Sequence, residues 1–121
     1  MATNKYFVGA LLWAVFILVL TLTPGKSIPD LTLLSYDKLG HAFVFMILSF
    51  LISKGFQELR RKALISTVTT LVITTFYGFL IEFSQDYIPD RNMDWFDAIA
   101  NIIGSILGVL VFYLSIRIKR S

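Results

Sequence analysis

The chain has no cysteine, a single histidine and few charged side chains. The absence of cysteine excludes a disulfide framework, a thiolate nucleophile and a Cys-ligated zinc site. Charged residues make up only 16% of the 121 positions, whereas hydrophobic residues make up 56%, and the mean hydropathy is +0.74. An ordinary soluble domain is less apolar than this. The composition therefore indicates an integral membrane protein.

Apolar residues form four blocks, and each block is close to the roughly 20 residues that a helix needs to cross a bilayer. The predicted spans are about 6–23, 37–53, 63–83 and 95–116. Pro24 and Gly25 end the first block, and a loop is predicted over 26–36. A cleaved signal peptide is the alternative for the first block. We therefore predict an all-α, four-helix integral membrane bundle that forms a single domain over residues 1–121.

Basic residues concentrate on one side of this four-span arrangement. The two termini and the loop between the second and third spans contain eight of the eleven Lys and Arg residues, and the other side contains seven of the eight acids. The positive-inside rule therefore places both termini in the cytoplasm and the acid-rich side outside it. The sequence pI near 9.3 would suggest nucleic-acid binding in a soluble domain. Membrane topology explains these charges better, so we predict no nucleic-acid partner.

Three of the predicted helices carry polar residues at the ends that face away from the cytoplasm. On each helix these residues share one face at the helical repeat. They are Asp37, Lys38 and His41 on the second helix, Gly78, Glu82 and Gln85 on the third, and Asp94, Asp97, Asn101, Gly104 and Gly108 on the fourth. Ionisable groups that face lipid are costly, so we expect these side chains to turn inward and meet. The Gly-x-x-x-Gly pattern favours helix packing inside the bundle, with a homo-oligomer contact as the alternative.

The spacing of these residues resembles the pattern of the VanZ-like family. The pieces that carry the resemblance are Asp37-Lys38-x-x-His41, Glu82-x-x-Gln85, Pro89-x-Arg91 and Asp94-x-x-Asp97-x-x-x-Asn101-x-x-Gly104. Members of that family are small bacterial membrane proteins named after an accessory protein of glycopeptide (teicoplanin) resistance. The resemblance implies a multi-pass protein of the bacterial inner (cytoplasmic) membrane with a role in the cell envelope. It does not supply an activity.

His41, Glu82 and Asp97 are the candidate catalytic residues if the protein is an enzyme. His41 would act as a general acid or proton carrier, with Glu82 or Asp97 as the base. Each residue also has a structural interpretation. His41 could be a hydrogen-bonded packing residue, Glu82 the partner of a basic residue, and Asp97 a helix-start residue favoured by the helix dipole. Serine catalysis is not predicted, because the chain has no Gly-x-Ser-x-Gly turn.

A second group of residues is predicted to bind a ligand. Its members are Asp37, Lys38, Gln85, Arg91, Asp94 and Asn101. Arg91 is the only arginine on the acid-rich side, and its planar guanidinium suits a phosphate or a carboxylate. Pairing of Arg91 with a neighbouring acid is the competing interpretation. A metal site built from His41, Glu82 and Asp97, assisted by Asn101 or Gln85, would favour Mg²⁺ or Ca²⁺ over structural zinc, but we assign no metal and no cofactor.

Three functions are compatible with this pattern. The leading hypothesis is a binding module whose outward-facing pocket recognises an anionic cell-envelope component, either a lipid headgroup or a lipid-linked wall precursor, with a link to teicoplanin resistance. The alternative is a membrane-embedded hydrolase or transferase acting on a phosphate-linked or peptide substrate of the envelope. A small transporter ranks last, because the polar residues gather near one membrane surface rather than at the midplane. The expected partners are the lipid bilayer and the anionic component.

Overall fold

The computed structural model of the chain contains four helices. It describes the backbone of residues 4–22, 30–85, 87 and 95–120, and the side chains of 4–20, 39–85, 87 and 95–116. The helices are α1 (Lys5–Leu22), α2 (Asp30–Glu58), α3 (Ala63–Gln85) and α4 (Trp95–Arg120). No strand occurs in the part of the chain that is described, so the all-α, four-helix prediction is confirmed.

Three of these helices are long and apolar enough to cross a membrane. Their apolar segments are Leu39–Glu58, Ala63–Gln85 and Trp95–Ile116. Helix α1 has 18 residues, which at 1.5 Å per residue is about 27 Å. The hydrocarbon core of a bilayer is about 30 Å thick, so α1 is at the short limit for a span. The helices fit a lipid bilayer environment, and the predicted span over 6–23 stays a prediction.

Helix α1 runs antiparallel to α2. Asn4 caps α1 by accepting hydrogen bonds from two backbone N–H groups of its first turn, at 3.1 and 3.3 Å. The side-chain amide of Asn4 also donates to the carbonyl oxygen of Gly55, near the end of α2, at 3.0 Å. Further along α1, Trp13 Nε1 donates to the carbonyl oxygen of Val44 at 2.9 Å. The start of α1 and the end of α2 therefore lie at the same end of the bundle.

Helix α2 begins earlier and ends later than the sequence indicated. The loop predicted over 26–36 is wrong for its described part, because the helix already begins at Asp30. Residues 31–36 contain no glycine or proline, and the helix dipole favours an aspartate at a helix start. At the other end, α2 continues through Gly55 to Glu58. The ring of Phe7 occupies the space that a side chain at Gly55 would need.

A Schellman motif ends α2 and turns the chain into α3. The backbone N–H of Arg60 donates to the carbonyl oxygen of Gln57 at 2.9 Å, and that of Arg61 donates to the carbonyl oxygen of Phe56 at 3.2 Å. Arg60 takes the left-handed position, with a φ of 58°, where glycine is the usual residue. Because residues 59–62 alone connect the two helices, α2 and α3 are antiparallel neighbours.

The most extensive helix pair is α2 with α4, and two glycines of α4 make this contact close. A Cβ added at Gly104 would overlap the backbone carbonyl of Ala42. A Cβ added at Gly108 would overlap the carbonyl oxygen of Met46 and the hydroxyl oxygen of Ser49. The Gly-x-x-x-Gly pattern therefore serves helix packing inside the bundle.

The buried apolar core is small, and many large apolar side chains point outward. The core cluster consists of Ala10, Ile17, Phe45, Leu48, Ile52 and Ile81. On the outer faces of all four helices, large aliphatic and aromatic side chains are more than a third exposed. Soluble monomers rarely expose contiguous apolar surface on this scale. The outer faces are therefore suited to contact with lipid chains.

Candidate functional site

Four polar side chains from three helices meet at one end of the bundle. His41 belongs to α2, Glu82 to α3, and Asp97 and Asn101 to α4, and all four are more than nine-tenths buried. His41, Glu82 and Asp97 each lie within four residues of an end of an apolar segment. Buried ionisable groups in such segments are costly and normally serve one another or a ligand. We refer to these four residues as the polar cluster and treat it as the candidate functional site.

The imidazole of His41 is the centre of the polar cluster. Its Nδ1 lies 3.0 Å from Oδ1 of Asn101. An amide oxygen can only accept a hydrogen bond, so in the neutral ring Nδ1 carries the proton and Nε2 presents its lone pair on the other side. Asn101 thereby fixes both the orientation and the tautomer of His41.

Two carboxylates flank this imidazole. Asp97 Oδ2 lies 3.7 Å from Nε2 of His41, and Glu82 Oε1 lies 3.9 Å from Nδ1. Both distances are longer than an N–H···O hydrogen bond, which is roughly 3 Å. One nitrogen or oxygen atom from each of the three residues lies within 4.8 Å of the other two. This spacing leaves room for a proton, a water molecule or a cation to be shared among them.

Small residues hold the helices close enough for these side chains to meet. Gly104 packs against the backbone of Ala42, the residue that follows His41. On α3, Gly78 leaves space for the Asn101 amide, because a Cβ at Gly78 would lie 3.1 Å from Asn101 Nδ2. This Nδ2 has no hydrogen-bond partner among the described residues. The polar cluster therefore contains a buried donor that a ligand oxygen could satisfy.

The remaining predicted site residues are less completely placed. Gln85 is buried on α3, three residues after Glu82. The side chains of four predicted binding residues lie outside the described residues: Asp37, Lys38, Arg91 and Asp94. The backbone of Lys38 belongs to α2, one turn before His41. The structure thus brings together His41, Glu82, Asp97 and Asn101, and the binding roles of the others stay predictions.

Two neighbours of the polar cluster were missed by sequence reasoning. Phe45 is fully buried beside Gly78, where a Cβ would lie 3.5 Å from its ring. Ser105 is also fully buried, and its hydroxyl donates to the carbonyl oxygen of Asn101 at 2.9 Å. Each lies four residues after a member of the polar cluster, so the helical repeat that aligned the polar residues would also have indicated these two.

An apolar groove formed by α1, α2 and α3 extends to the depth of the polar cluster. Its volume is about 330 Å³, and its lining includes Ala10, Ala14, Leu48, Ile52, Tyr77 and Leu80. Leu80 is two residues before Glu82, so one end of the groove reaches the depth of the polar cluster but lies on a different face of α3. The Tyr77 hydroxyl is occupied by a hydrogen bond to the carbonyl oxygen of Ala14. The groove is therefore suited to an acyl or prenyl chain.

Comparison with known proteins identifies a family. A family model described as VanZ/LLP1 matches residues 4–117, which include the whole polar cluster, and it confirms the family resemblance. An uncharacterized protein of the fission yeast Schizosaccharomyces pombe is 34% identical over 99 residues. The match covers 81% of this chain and 60% of that protein, so the chain spans about three-fifths of the relative's length. No solved structure matches the chain.

Proposed function

The chain belongs to the VanZ/LLP1 family, and we propose that it is a membrane protein that binds an anionic, lipid-linked molecule. The observation that carries this proposal is a buried polar cluster near one end of a bundle whose outer faces are apolar and include a groove that reaches the same depth. An amphiphilic ligand needs both environments: a polar site for its headgroup and an apolar surface for its chain. Neither environment alone would distinguish such a ligand from a soluble anion or from bulk lipid.

Hydrogen-bond donors at the polar cluster support recognition of an oxygen-rich headgroup. Asn101 Nδ2 is a buried donor without a hydrogen-bond partner among the described residues. Lys38 lies one turn before His41 on α2 and supplies a positive charge in this proposal. Arg91 supplies the planar pair of donors that suits a phosphate. A phosphate group on a long-chain lipid is a headgroup whose oxygens can accept hydrogen bonds from Asn101, Lys38 and Arg91.

The proposed location is the bacterial inner (cytoplasmic) membrane, with the polar cluster on the extracytoplasmic side. The basic residues at the termini and in the α2–α3 turn support this orientation through the positive-inside rule. A lipid-linked wall precursor is then the natural ligand, and its capture would change access of teicoplanin to the wall. The ligand is proposed by its chemistry, a phosphate carried on a long-chain lipid.

A hydrolase or transferase acting on the same class of molecule is the second candidate. The hydrogen bond between His41 Nδ1 and Asn101 Oδ1 favours it, because in the neutral imidazole it leaves Nε2 as the nitrogen that can accept a proton. Asp97, at 3.7 Å, would stabilise the imidazolium that forms. Release of phosphate by reconstituted protein, lost in His41→Ala and Glu82→Gln, is the expected result for an enzyme. If the wild-type protein releases no phosphate, the enzyme candidate is contradicted and only the binding function remains.

Lipid binding can be measured on the purified full chain in detergent micelles by native mass spectrometry. The probes are undecaprenyl phosphate, undecaprenyl pyrophosphate and, as the uncharged lipid, undecaprenol. We expect the two phosphorylated lipids to bind and undecaprenol to bind at least tenfold more weakly. Arg91→Ala should weaken phosphate binding by about 10- to 100-fold, since a charge-assisted hydrogen bond contributes about 1.5–3 kcal/mol.

Arg61→Ala is the matched control for Arg91→Ala. Arg61 is an exposed arginine in the turn between α2 and α3, at the opposite end of the bundle from the polar cluster. The Arg61→Ala variant should bind the lipids as the wild type does. If Arg61→Ala and Arg91→Ala weakened lipid binding equally, the loss would come from the overall positive charge of the protein and not from a specific contact of Arg91. Equal binding of undecaprenol and the phosphorylated lipids would contradict the proposed function.

A further inference from the structure

We infer that His41, Glu82 and Asp97 form a binding site for one divalent metal cation. The three residues come from three different helices and offer one imidazole nitrogen and two carboxylate oxygens. Their relative exposures are 5%, 0% and 6%, so this group differs from the solvated acidic clusters that are common on protein surfaces. Sequence reasoning assigned no metal, and the close grouping of these ligand atoms in the structure changes that assessment.

The distances fit a shared cation better than direct hydrogen bonds. Two ligand atoms that each lie about 2.1 Å from one ion are separated by roughly 3–4 Å, depending on the angle between them. The 3.7 Å between His41 Nε2 and Asp97 Oδ2 falls in that range. Each of the three residues has a ligand atom within 4.8 Å of the other two, and Glu82 Oε1 lies 3.9 Å from Nδ1 of His41. Glu82 must therefore rotate to reach a cation that His41 Nε2 and Asp97 hold.

Asn101 provides the support that metal-binding histidines usually have. A ligating imidazole normally donates its other N–H to an oxygen, which fixes the tautomer and turns the free lone pair toward the metal. Here Nδ1 of His41 donates to Asn101 Oδ1 at 3.0 Å, and the Nε2 lone pair is directed toward the side where Asp97 lies. This hydrogen bond leaves Nε2 as the nitrogen that would bind the cation.

The ligand set indicates the class of metal. Carboxylates suit Mn²⁺, Mg²⁺ and Ca²⁺, and an imidazole suits Zn²⁺ and other transition metals. The sequence alone favoured Mg²⁺ or Ca²⁺ over structural zinc. With an imidazole among only three protein ligands, we instead expect Mn²⁺ and Zn²⁺ to bind more tightly than Mg²⁺ or Ca²⁺. Three protein ligands leave coordination positions open, as in sites that also hold a substrate or water.

This inference deepens the proposed function, because a cation with open positions would let an acidic pocket hold a phosphate oxygen. The inference also distinguishes the proposed binding function from the acid–base enzyme. A metal at Nε2 removes the lone pair that an acid–base mechanism would use, so His41 cannot hold the cation and act as a base at the same time. The cation itself is held by protein ligands, so its test needs no lipid.

The test uses the full chain in detergent micelles, stripped with EDTA and titrated with Mn²⁺. Electron paramagnetic resonance of free Mn²⁺ and isothermal titration calorimetry should give one bound ion per chain. Glu82→Gln, Asp97→Asn and His41→Gln should each weaken Mn²⁺ binding by more than tenfold. Asn101→Leu keeps all three metal ligands and removes the hydrogen bond that supports His41, so it should weaken Mn²⁺ binding by about 10- to 100-fold. Glu58→Gln, at the opposite end of the bundle, is the matched control and should bind as the wild type does.

If the variants fail to fold, the thermal stability of the wild-type protein tests the inference. Its Tm should rise with added Mn²⁺ and return to the starting value with EDTA. No bound ion and no Tm shift at millimolar Mn²⁺ would overturn the inference, as would unchanged affinity in all three folded ligand variants. Metal binding without lipid binding would contradict only the proposed function. Lipid binding that EDTA does not weaken would show that the headgroup is held without the cation.

Discussion

Asn101 is the residue that sets the geometry of the polar cluster. It lies one turn deeper along α4 than Asp97, and it is fully buried. Its Oδ1 accepts from His41, and its Nδ2 fits into the space left by Gly78. An apolar residue of similar size would fill the same volume but would leave the His41 N–H without this acceptor.

Asn101→Leu is therefore expected to lower the free energy of unfolding by about 1–2 kcal/mol, because a buried hydrogen bond is lost while the volume is kept. Reversible unfolding in mixed SDS micelles would measure this. Ser105→Ala is the control, since Ser105 is equally buried but bonds only to a carbonyl of its own helix. It should change stability by less than about 0.5 kcal/mol. A larger loss in Ser105→Ala than in Asn101→Leu would contradict this account.

At the scale of helices, the α2–α4 contact determines whether the site forms. Gly104 and Gly108 bring the α4 backbone against that of α2, next to the turn that carries His41. Because the atoms opposite Gly104 belong to a backbone carbonyl, they cannot move aside as a flexible side chain could. Any Cβ at position 104 must therefore push the two helices apart.

We expect Gly104→Val to lower the free energy of unfolding by about 3 kcal/mol, the upper end of the usual cost of overpacking. Mn²⁺ binding should also weaken, because helix separation moves His41 away from Asp97. Ile106→Val, two residues along on the lipid-exposed face of α4, is the matched control and should be close to neutral. A Gly104→Val protein with wild-type stability and metal affinity would mean that the glycine contact is not required.

Helix positions and the grouping of the site were predictable from the sequence, whereas the details of helix packing were not. The predicted starts at 63 and 95 match those of α3 and α4, because polar or charged residues precede each apolar block. The start of α2 was placed too late, since residues 30–36 are too mixed in character to extend an apolar block. Helical spacing and the cost of polar groups in lipid were enough to group the polar cluster. The His41 tautomer and the groove depend on distances between helices, which no single helix encodes.

At the scale of the whole molecule, the two ends of the bundle differ in chemistry. One end has basic residues next to aromatic rings: the ammonium groups of Lys5 and Lys54 lie 5.3 and 5.8 Å from the centre of the Tyr6 ring. The other end has the polar cluster and an aromatic group in which Trp95 contacts Phe79 and Phe83 edge-on. Aromatic residues at both ends are typical of the two membrane interfaces. The bundle is therefore expected to span the bilayer with these two ends on opposite sides.

Membrane orientation can be tested with single cysteines, because the chain contains none of its own. Gln57, in the last turn of α2, and Tyr87, just after α3, are exposed residues at opposite ends of the bundle, and Lys5 is exposed at the start of α1. We expect a membrane-impermeant maleimide to label Tyr87→Cys in intact cells, because the positive-inside rule places that end outside. Gln57→Cys and Lys5→Cys should react only after permeabilisation, since the Asn4–Gly55 hydrogen bond puts both at the basic end.

Labelling of Gln57→Cys but not Tyr87→Cys in intact cells would reverse the orientation and place the polar cluster on the cytoplasmic side. Lys5→Cys then tests α1 separately: reactivity matching Tyr87→Cys would contradict the antiparallel contact of α1 with α2.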